Sequence, residues 1–83
     1  MSKYTKLLRV VLEGRADANI DFTDLCNLMI RLGFEERVRG SHHVFRRAGI
    51  EDKINLQKDS KNAKTYQVKQ VRDMIIKHKL EVL

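Results

Sequence analysis

The stretch "LMIRLGFEERVRGSHHVFRR", residues 28 to 47, changes its hydrophobic period in the middle and thereby sets the fold. Up to Gly33 the apolar residues follow helical spacing, and a glycine directly after the last apolar position is typical of a helix end. After Gly33 the residues alternate as in a strand, and Gly40 and Ser41 predict a tight turn within the alternation. The two strands of the predicted hairpin cover residues 34–39 and 42–47.

Two helices are predicted on the N-terminal side of this hairpin. Five apolar residues recur at helical spacing in the first of them: Tyr4, Leu7, Leu8, Val11 and Leu12. Gly14 follows these residues and predicts the end of the helix. Asp21 or Thr23 is the N-cap candidate of the second helix, because a short polar side chain there can accept a hydrogen bond from the first turn.

A third strand and a last helix are predicted on the C-terminal side. Residues 48–52 predict a turn, after which residues 53–57 alternate as a strand with Ile54 and Leu56 on one face. Residues 58–65 are polar and basic without periodicity, which is typical of a surface loop. The last helix carries the following residues on one side: Val68, Val71, Met74, Ile75 and His78.

The predicted order of elements, α-α-β-β-β-α, indicates an α+β fold with a three-stranded antiparallel sheet and the helices on one face. The second helix, the strands and the last helix follow the order of a double-stranded-RNA-binding domain. Many small domains share this order, so the order alone does not fix the function. A chain of 83 residues has room for one domain, and residues 1–83 are expected to fold as a unit.

The chain is basic, and its positive charge is concentrated in the second half. The formal net charge is +6. Residues 1–41 hold seven Lys and Arg against six Asp and Glu, a net of +1, whereas residues 42–83 hold ten against five, a net of +5. Such an excess favours an anionic partner, with nucleic acid first, a membrane surface second and an acidic protein third.

The sequence disfavours several other kinds of site and location. Cys26 is the single cysteine, which excludes an internal disulfide and predicts a buried structural thiol. The histidines and Cys26 have neither CxxC nor HxxxH spacing, so no metal and no other cofactor is predicted. No apolar stretch approaches the ~18 residues of a membrane span, and no signal peptide is recognisable, so a cytoplasmic protein is expected.

The adjacent histidines are expected to face opposite sides of the sheet. Side chains alternate along a strand, and Phe45 is expected to face the helices, so His43 shares the inner face and packs against Phe45. His42 then lies on the outer face with Val44 and Arg46. The two imidazoles therefore cannot work as a close pair.

The outer face combines an imidazole with several cations. His42 is suited to proton transfer, because imidazole has the unperturbed pKa that lies nearest neutrality. The candidate phosphate-binding residues are Arg37, Arg39, Arg46, Lys53 and Lys64. RNA cleavage needs these two kinds of group. On spacing alone, a solvated sheet face with an incidental histidine is the favoured alternative.

The segment "LMIRLGFEERVRGSHHVFR" resembles the HicA family of toxins from type II toxin–antitoxin systems. The matching pattern is a helix that ends in Gly-Phe, a short strand, and then Gly-Ser-His-His-Val-Phe at residues 40–45. Residues 54–75 resemble a longer variant of the family, in which a Lys-x-Tyr-Gln-Val segment opens the last helix, although Thr65 stands where relatives often have proline. The resemblance covers a HicA-like core of residues 21–80, and residues 1–19 form an added helical extension.

This resemblance implies a double-stranded-RNA-binding-like fold, cleavage of mRNA with or without the ribosome, and inhibition by a HicB-type antitoxin. The family's active histidine directly follows Gly-Ser, which corresponds to His42, and Gly40 and Ser41 shape the turn that presents it. Some members carry the histidine one place along, which makes His43 the runner-up. The alternation argument independently places His42 on the outer face.

Three functions remain open from the sequence. The first is a toxin that acts as a metal-independent endoribonuclease on mRNA, with His42 as general acid or base. The second is a non-catalytic RNA-binding module with the same charge and an idle His42. The third is a component of a toxin–antitoxin complex that binds operator DNA only through the antitoxin. A neighbouring gene for a small acidic antitoxin would favour the first and third over the second.

Overall fold

The computed structural model describes residues 2–83, and its elements follow the predicted order. The helices are α1 (Lys3–Glu13), α2 (Phe22–Arg31) and α3 (Thr65–His78), with a short 3-10 helix at Asp17–Asn19. The strands are β1 (Glu35–Arg39), β2 (His42–Arg47), β3 (Ile50–Leu56), β4 (Lys58–Asp59) and β5 (Asn62–Ala63). Within the described residues, β1, β2 and β3 form an antiparallel sheet in that order, which confirms the α+β fold. Over the same residues, no helix combines the length and the apolar character that crossing a bilayer requires.

Both ends of α2 are set by residues that the sequence predicts for these positions. Asp21 is the N-cap, and its Oδ1 accepts a hydrogen bond from the Asp24 backbone N–H at 3.0 Å. At the other end Gly33 has a φ of +93°, and the Phe34 N–H donates to the Met29 carbonyl at 3.1 Å. This bond pattern is that of a Schellman ending, and it leads the chain directly into β1.

The hydrophobic core lies between the inner face of the sheet and helices α1, α2 and α3. Its fully buried side chains within residues 2–83 include Val11, Leu25, Leu28, Met29, Leu32, Phe45, Leu56, Val68 and Val71. Burial of each large apolar side chain contributes about 1.5–3 kcal/mol to the stability of the fold. Because β2 and β3 each supply buried residues to this cluster, the core fixes which face of the sheet is turned outward.

Helix α1 packs on α2 and α3 through part of the apolar face that the sequence predicts. Val11 is fully buried, whereas Leu12, the last apolar residue of the helical pattern, is 41% exposed. The physical reason is the rotation of about 100° per residue, which moves Leu12 off the side that meets the other helices. The half-buried residues of this face include Tyr4, Leu7 and Leu8.

Arg72 of α3 joins α1 and the following segment to the rest of the domain. Its Nη1 donates to the Val11 carbonyl at 3.2 Å and to Asp17 Oδ1 at 2.9 Å. The hydrogen bond to Asp17 raises the pKa of Arg72 above its ordinary value. This ion pair, in which one guanidinium nitrogen contacts both carboxylate oxygens and both side chains are 16% exposed, holds the connection between α1 and α2 against α3.

Strand β3 is longer than predicted. It begins at Ile50, which pairs with Arg47, whereas the sequence predicts a turn over 48–52. The turn is confined to Ala48 and Gly49, and Gly49 has a φ of +86°. Glu51 and Asp52 are both charged, so the sequence shows no alternation of apolar and polar residues there. The predicted turn is therefore wrong at residues 50–52, which belong to β3.

The predicted loop over 58–65 contains the short β4–β5 hairpin, so that prediction is also wrong. The buried Ala63 donates its N–H to the Ile20 carbonyl at 2.9 Å, and the Phe22 N–H donates to the Lys61 carbonyl at 3.0 Å. Backbone hydrogen bonds to the segment before α2 therefore stabilise this hairpin. Strands of two residues are too short for an alternating pattern to reveal them.

Candidate nucleic-acid interface

The sheet register places His42 and His43 on opposite faces. His42 pairs with Arg39 across the β1–β2 hairpin, and its exposed side chain lies on the face away from the helices. Its Nδ1 is 3.2 Å from Oδ1 of Asn55 on β3. His43 is directed inward on the same face as the buried Phe45. The predicted divergence of the two imidazoles is confirmed.

A two-residue turn presents His42 at the start of β2. Gly40 has a φ of +59°, which at the first turn position is typical of the type II′ hairpin turn. Ser41 Oγ accepts a hydrogen bond from Gln57 Nε2 at 3.1 Å. Lys64 Nζ in turn donates to Gln57 Oε1 at 3.1 Å. The turn is thus connected to the segments that follow β3 and precede α3.

A shallow depression of about 500 Å³ lies on the outer face of the sheet. Its lining residues are Glu35, Arg37, Arg39, Val44, Arg46 and Lys53. The cations surround the half-buried Val44, so the depression has an apolar floor and a basic rim. His42 adjoins it, because His42 is the cross-strand partner of Arg39. The structure therefore brings together four of the predicted phosphate-binding residues, whereas Lys64 lies outside the lining and binds Gln57.

His43 is held on the inner side of the sheet by two contacts. Its Nδ1 lies 2.8 Å from Oε2 of Glu36 on β1. Its ring meets the Phe22 ring edge-on, with the ring centroids 4.8 Å apart. The inward orientation of His43 agrees with the prediction. Its aromatic contact, however, is to Phe22 of α2, whereas the sequence predicted packing against Phe45. These contacts orient His43 away from the basic depression.

Cys26 has the burial expected of a structural thiol. Its side chain is 7% exposed, and burial, followed by the charges of Glu36 and Asp21, raises the pKa of the thiol to about 12. The thiol is therefore protonated at neutral pH, which disfavours a nucleophilic role. Cys26 nevertheless lies in a group with Glu36 and His43, whose potential ligand atoms are all within 4.8 Å of one another. Sequence reasoning missed this group, although strand alternation places Glu36 and His43 on one face.

His78 is the last residue of α3 and connects that helix to β3. Its Nε2 is 3.0 Å from Oδ2 of Asp52. Hydrogen bonding to His78, with the nearby charge of Lys77, lowers the pKa of Asp52 below its ordinary value. This contact is structural and lies apart from the lining of the outer depression.

Comparison with known families agrees with the resemblance noted in the sequence. A family model described as the HicA toxin of bacterial toxin–antitoxin systems matches residues 22–78. The match runs from the first residue of α2 to the last residue of α3, so α1 and the 3-10 helix lie outside it. No curated protein and no solved structure matches the chain.

Proposed function

The chain belongs to the HicA family of toxins from bacterial toxin–antitoxin systems, and on this premise we propose that it is an endoribonuclease that cleaves mRNA in the cytoplasm. The observation that carries the proposal is an exposed imidazole, His42, beside a depression with a basic rim. Such a surface combines proton transfer with phosphate binding. The resemblance of the Gly-Ser-His segment to the family's active site supports the choice of His42.

In the proposed reaction, His42 moves a proton at the scissile phosphodiester, from the attacking 2′-hydroxyl or to the leaving 5′-oxygen. Asn55 orients the ring through Nδ1, which leaves Nε2 for the substrate. Gly40 and Ser41 position the ring through the turn and its hydrogen bond to Gln57. The cations of the depression bind the phosphate and stabilise the negative charge that develops on its oxygens.

The proposal includes a protein partner, a HicB-type antitoxin. The family description names a toxin–antitoxin system, and the net charge of +6 favours an acidic docking surface on the partner. Covering His42 and the basic depression would block both the proton transfer and the binding of RNA. Association is then fast and sensitive to salt, because opposite charges steer the encounter. Operator DNA is bound through the antitoxin in this proposal.

The reaction is expected to need no metal ion, and this expectation tests the proposed chemistry. His42 and the cations supply the proton transfer and the charge stabilisation themselves. A purified chain incubated with a transcript in excess EDTA should therefore cleave it as fast as in buffer alone, as measured by denaturing gel electrophoresis. Activity that disappears on chelation and returns with a divalent ion, while circular dichroism shows that the chelated chain is still folded, would contradict the mechanism. A chain that cleaves no transcript in either buffer would contradict the endoribonuclease proposal itself.

The basic depression should make RNA binding dependent on salt. Each phosphate contact on a single strand contributes a log–log slope of roughly −0.7. Arg46→Ala removes a cation from the depression, so the slope should become shallower by about one such contact. Lys69→Ala, which removes the same charge from an exposed position on α3, is the matched control and should keep the wild-type slope. If only the Lys69 variant flattens the slope, RNA binds along α3 and the assignment of the depression is wrong.

A further inference from the structure

We propose that Cys26, Glu36 and His43 form a zinc-binding site on the inner side of the β1–β2 hairpin, on the opposite face of the sheet from His42. The three residues come from three different elements, α2, β1 and β2. They are separated along the sequence and meet because the sheet packs on α2. The site is distinct from the proposed RNA-cleaving surface and does not depend on it.

The distances suit a tetrahedral ion after small side-chain movements. The Cys26 sulfur, a His43 ring nitrogen and a Glu36 carboxylate oxygen all lie within 4.8 Å of one another. Zn²⁺ binds sulfur at ~2.3 Å and nitrogen or oxygen at ~2.0–2.2 Å, so its ligand atoms lie roughly 3.3–3.8 Å apart. Seating the ion therefore requires the widest pair of ligand atoms to close by about 1 Å. The hydrogen-bonded His43–Glu36 pair, 2.8 Å apart, must open by roughly 0.5–1 Å. Side-chain rotations can supply both movements.

The set of donor atoms selects the kind of metal. A thiolate, an imidazole and a carboxylate are the three ligand types that Zn²⁺ takes in proteins. Binding of the ion would release to solvent the proton that the Cys26 thiol carries in the metal-free chain. Mg²⁺ and Ca²⁺ prefer sites made of oxygen atoms, and a sulfur ligand disfavours them. Three protein ligands leave a fourth position, which a water molecule or a group from a partner can fill.

The surroundings hold the ligands in place and leave a path for the ion. Cys26 is 7% exposed and forms the closed end of the site, while the side chains of His43 and Glu36 are 26% and 29% exposed. Phe22 orients the His43 ring through its edge-on contact. The nearby charges that act on Cys26 are the negative ones of Glu36 and Asp21 and the opposing positive one of Lys58. Because Glu36 is itself a ligand, the surrounding charges are those of Asp21 and Lys58, which offset each other.

Metal binding would stabilise the part of the fold that carries His42. The ion would connect α2 to both strands of the β1–β2 hairpin. Without the ion, a hydrogen bond of 2.8 Å between Glu36 and His43 connects the two strands. A ligand that binds the folded chain and not the unfolded chain raises the stability of the fold. Because the site faces away from His42, chelation should lower the unfolding temperature and leave the proton-transfer group intact.

Cobalt and zinc titrations of the full chain, treated with EDTA and dialysed, test the site. An equimolar amount of Co²⁺ should produce a thiolate-to-cobalt absorption band in the near ultraviolet, and Zn²⁺ should abolish the band by displacing the cobalt. Zn²⁺ should also raise the unfolding temperature. Cys26→Ser should remove the band. Glu36→Gln should weaken zinc binding by at least about tenfold, because replacing even a residue that only hydrogen-bonds a metal ligand lowers metal affinity about 10–100-fold.

His42→Ala is the matched control, because it removes a neighbouring histidine from the opposite face of the same strand. This variant should bind Zn²⁺ with wild-type affinity. Circular dichroism verifies that each variant is folded. If Cys26→Ser does not fold, the zinc affinity of Glu36→Gln tests the site, because Glu36 lies at a solvent-accessible position of β1. A folded wild-type chain without the thiolate band, or equal losses of affinity in His42→Ala and Glu36→Gln, would overturn the proposal.

Discussion

His42→Ala is expected to reduce RNA cleavage by about 10²–10⁴-fold, which is the usual contribution of a positioned general acid or base. The side chain is exposed, and its Nδ1 forms a hydrogen bond of 3.2 Å with Asn55 Oδ1. Its removal should therefore change the free energy of unfolding by no more than about 0.5 kcal/mol. Rates of transcript cleavage and thermal unfolding, measured on the same preparation, check both parts of this expectation.

His43→Ala is the informative comparison, because it removes the adjacent imidazole from the inner face. That ring packs on Phe22 and hydrogen-bonds Glu36, so its loss should lower the unfolding temperature while the folded variant retains cleavage at low temperature. If His42→Ala cleaves at the wild-type rate, the catalytic assignment is wrong. RNA binding without cleavage in the wild-type chain would favour the alternative of a non-catalytic RNA-binding module.

Phe45→Ala is expected to have the largest effect on stability. Phe45 is fully buried in the middle of β2, between its cross-strand neighbours Glu36 and Ile54. Truncation of a buried phenylalanine costs about 3–5 kcal/mol, because transfer free energy is lost and a cavity remains. A domain of this size has a total stability of roughly 4–12 kcal/mol, so the variant should be largely destabilised. Urea unfolding followed by circular dichroism measures the loss.

Two further variants control for this prediction. Phe45→Leu keeps most of the apolar volume and should cost clearly less than the alanine variant. Val38→Ala changes an apolar residue of β1 that is 55% exposed and should remain within about 0.5 kcal/mol of the wild type. Equal losses for Phe45→Ala and Val38→Ala would contradict the burial of Phe45 in the core.

The local features of the fold could be predicted where one residue determines the backbone. Asp21 caps α2 because its carboxylate is short enough to reach a first-turn N–H. Gly33 ends the same helix because a positive φ costs glycine little. The opposite orientation of His42 and His43 likewise needs nothing beyond the two-residue period of a strand and the inward side chain of Phe45.

Features that depend on distant segments could not be predicted in this way. Backbone hydrogen bonds stabilise the β4–β5 hairpin, from Ala63 to Ile20 before α2 and from Phe22 at the start of α2 to Lys61. Every residue has backbone groups, so the pattern of side chains does not reveal such bonds. Leu12 and Val11 are both apolar, and the packing of α1 against α2 and α3 selects Val11 for the core. Lys64 lies outside the basic depression because it precedes α3, whereas the depression is lined by β1, β2 and β3.

The sequence by itself determined the order of the elements, the ends of α2, the turn at Gly40 and the face on which His42 lies. These properties depend on φ preferences and on periods of 2 and 3.6 residues, which act over a few neighbouring positions. The tertiary structure alone decided that the cations of three strands surround one depression and that Cys26, Glu36 and His43 meet on the other face of the sheet. The physical reason is that strand register and helix packing bring together residues whose separation along the chain carries no information about their distance in space.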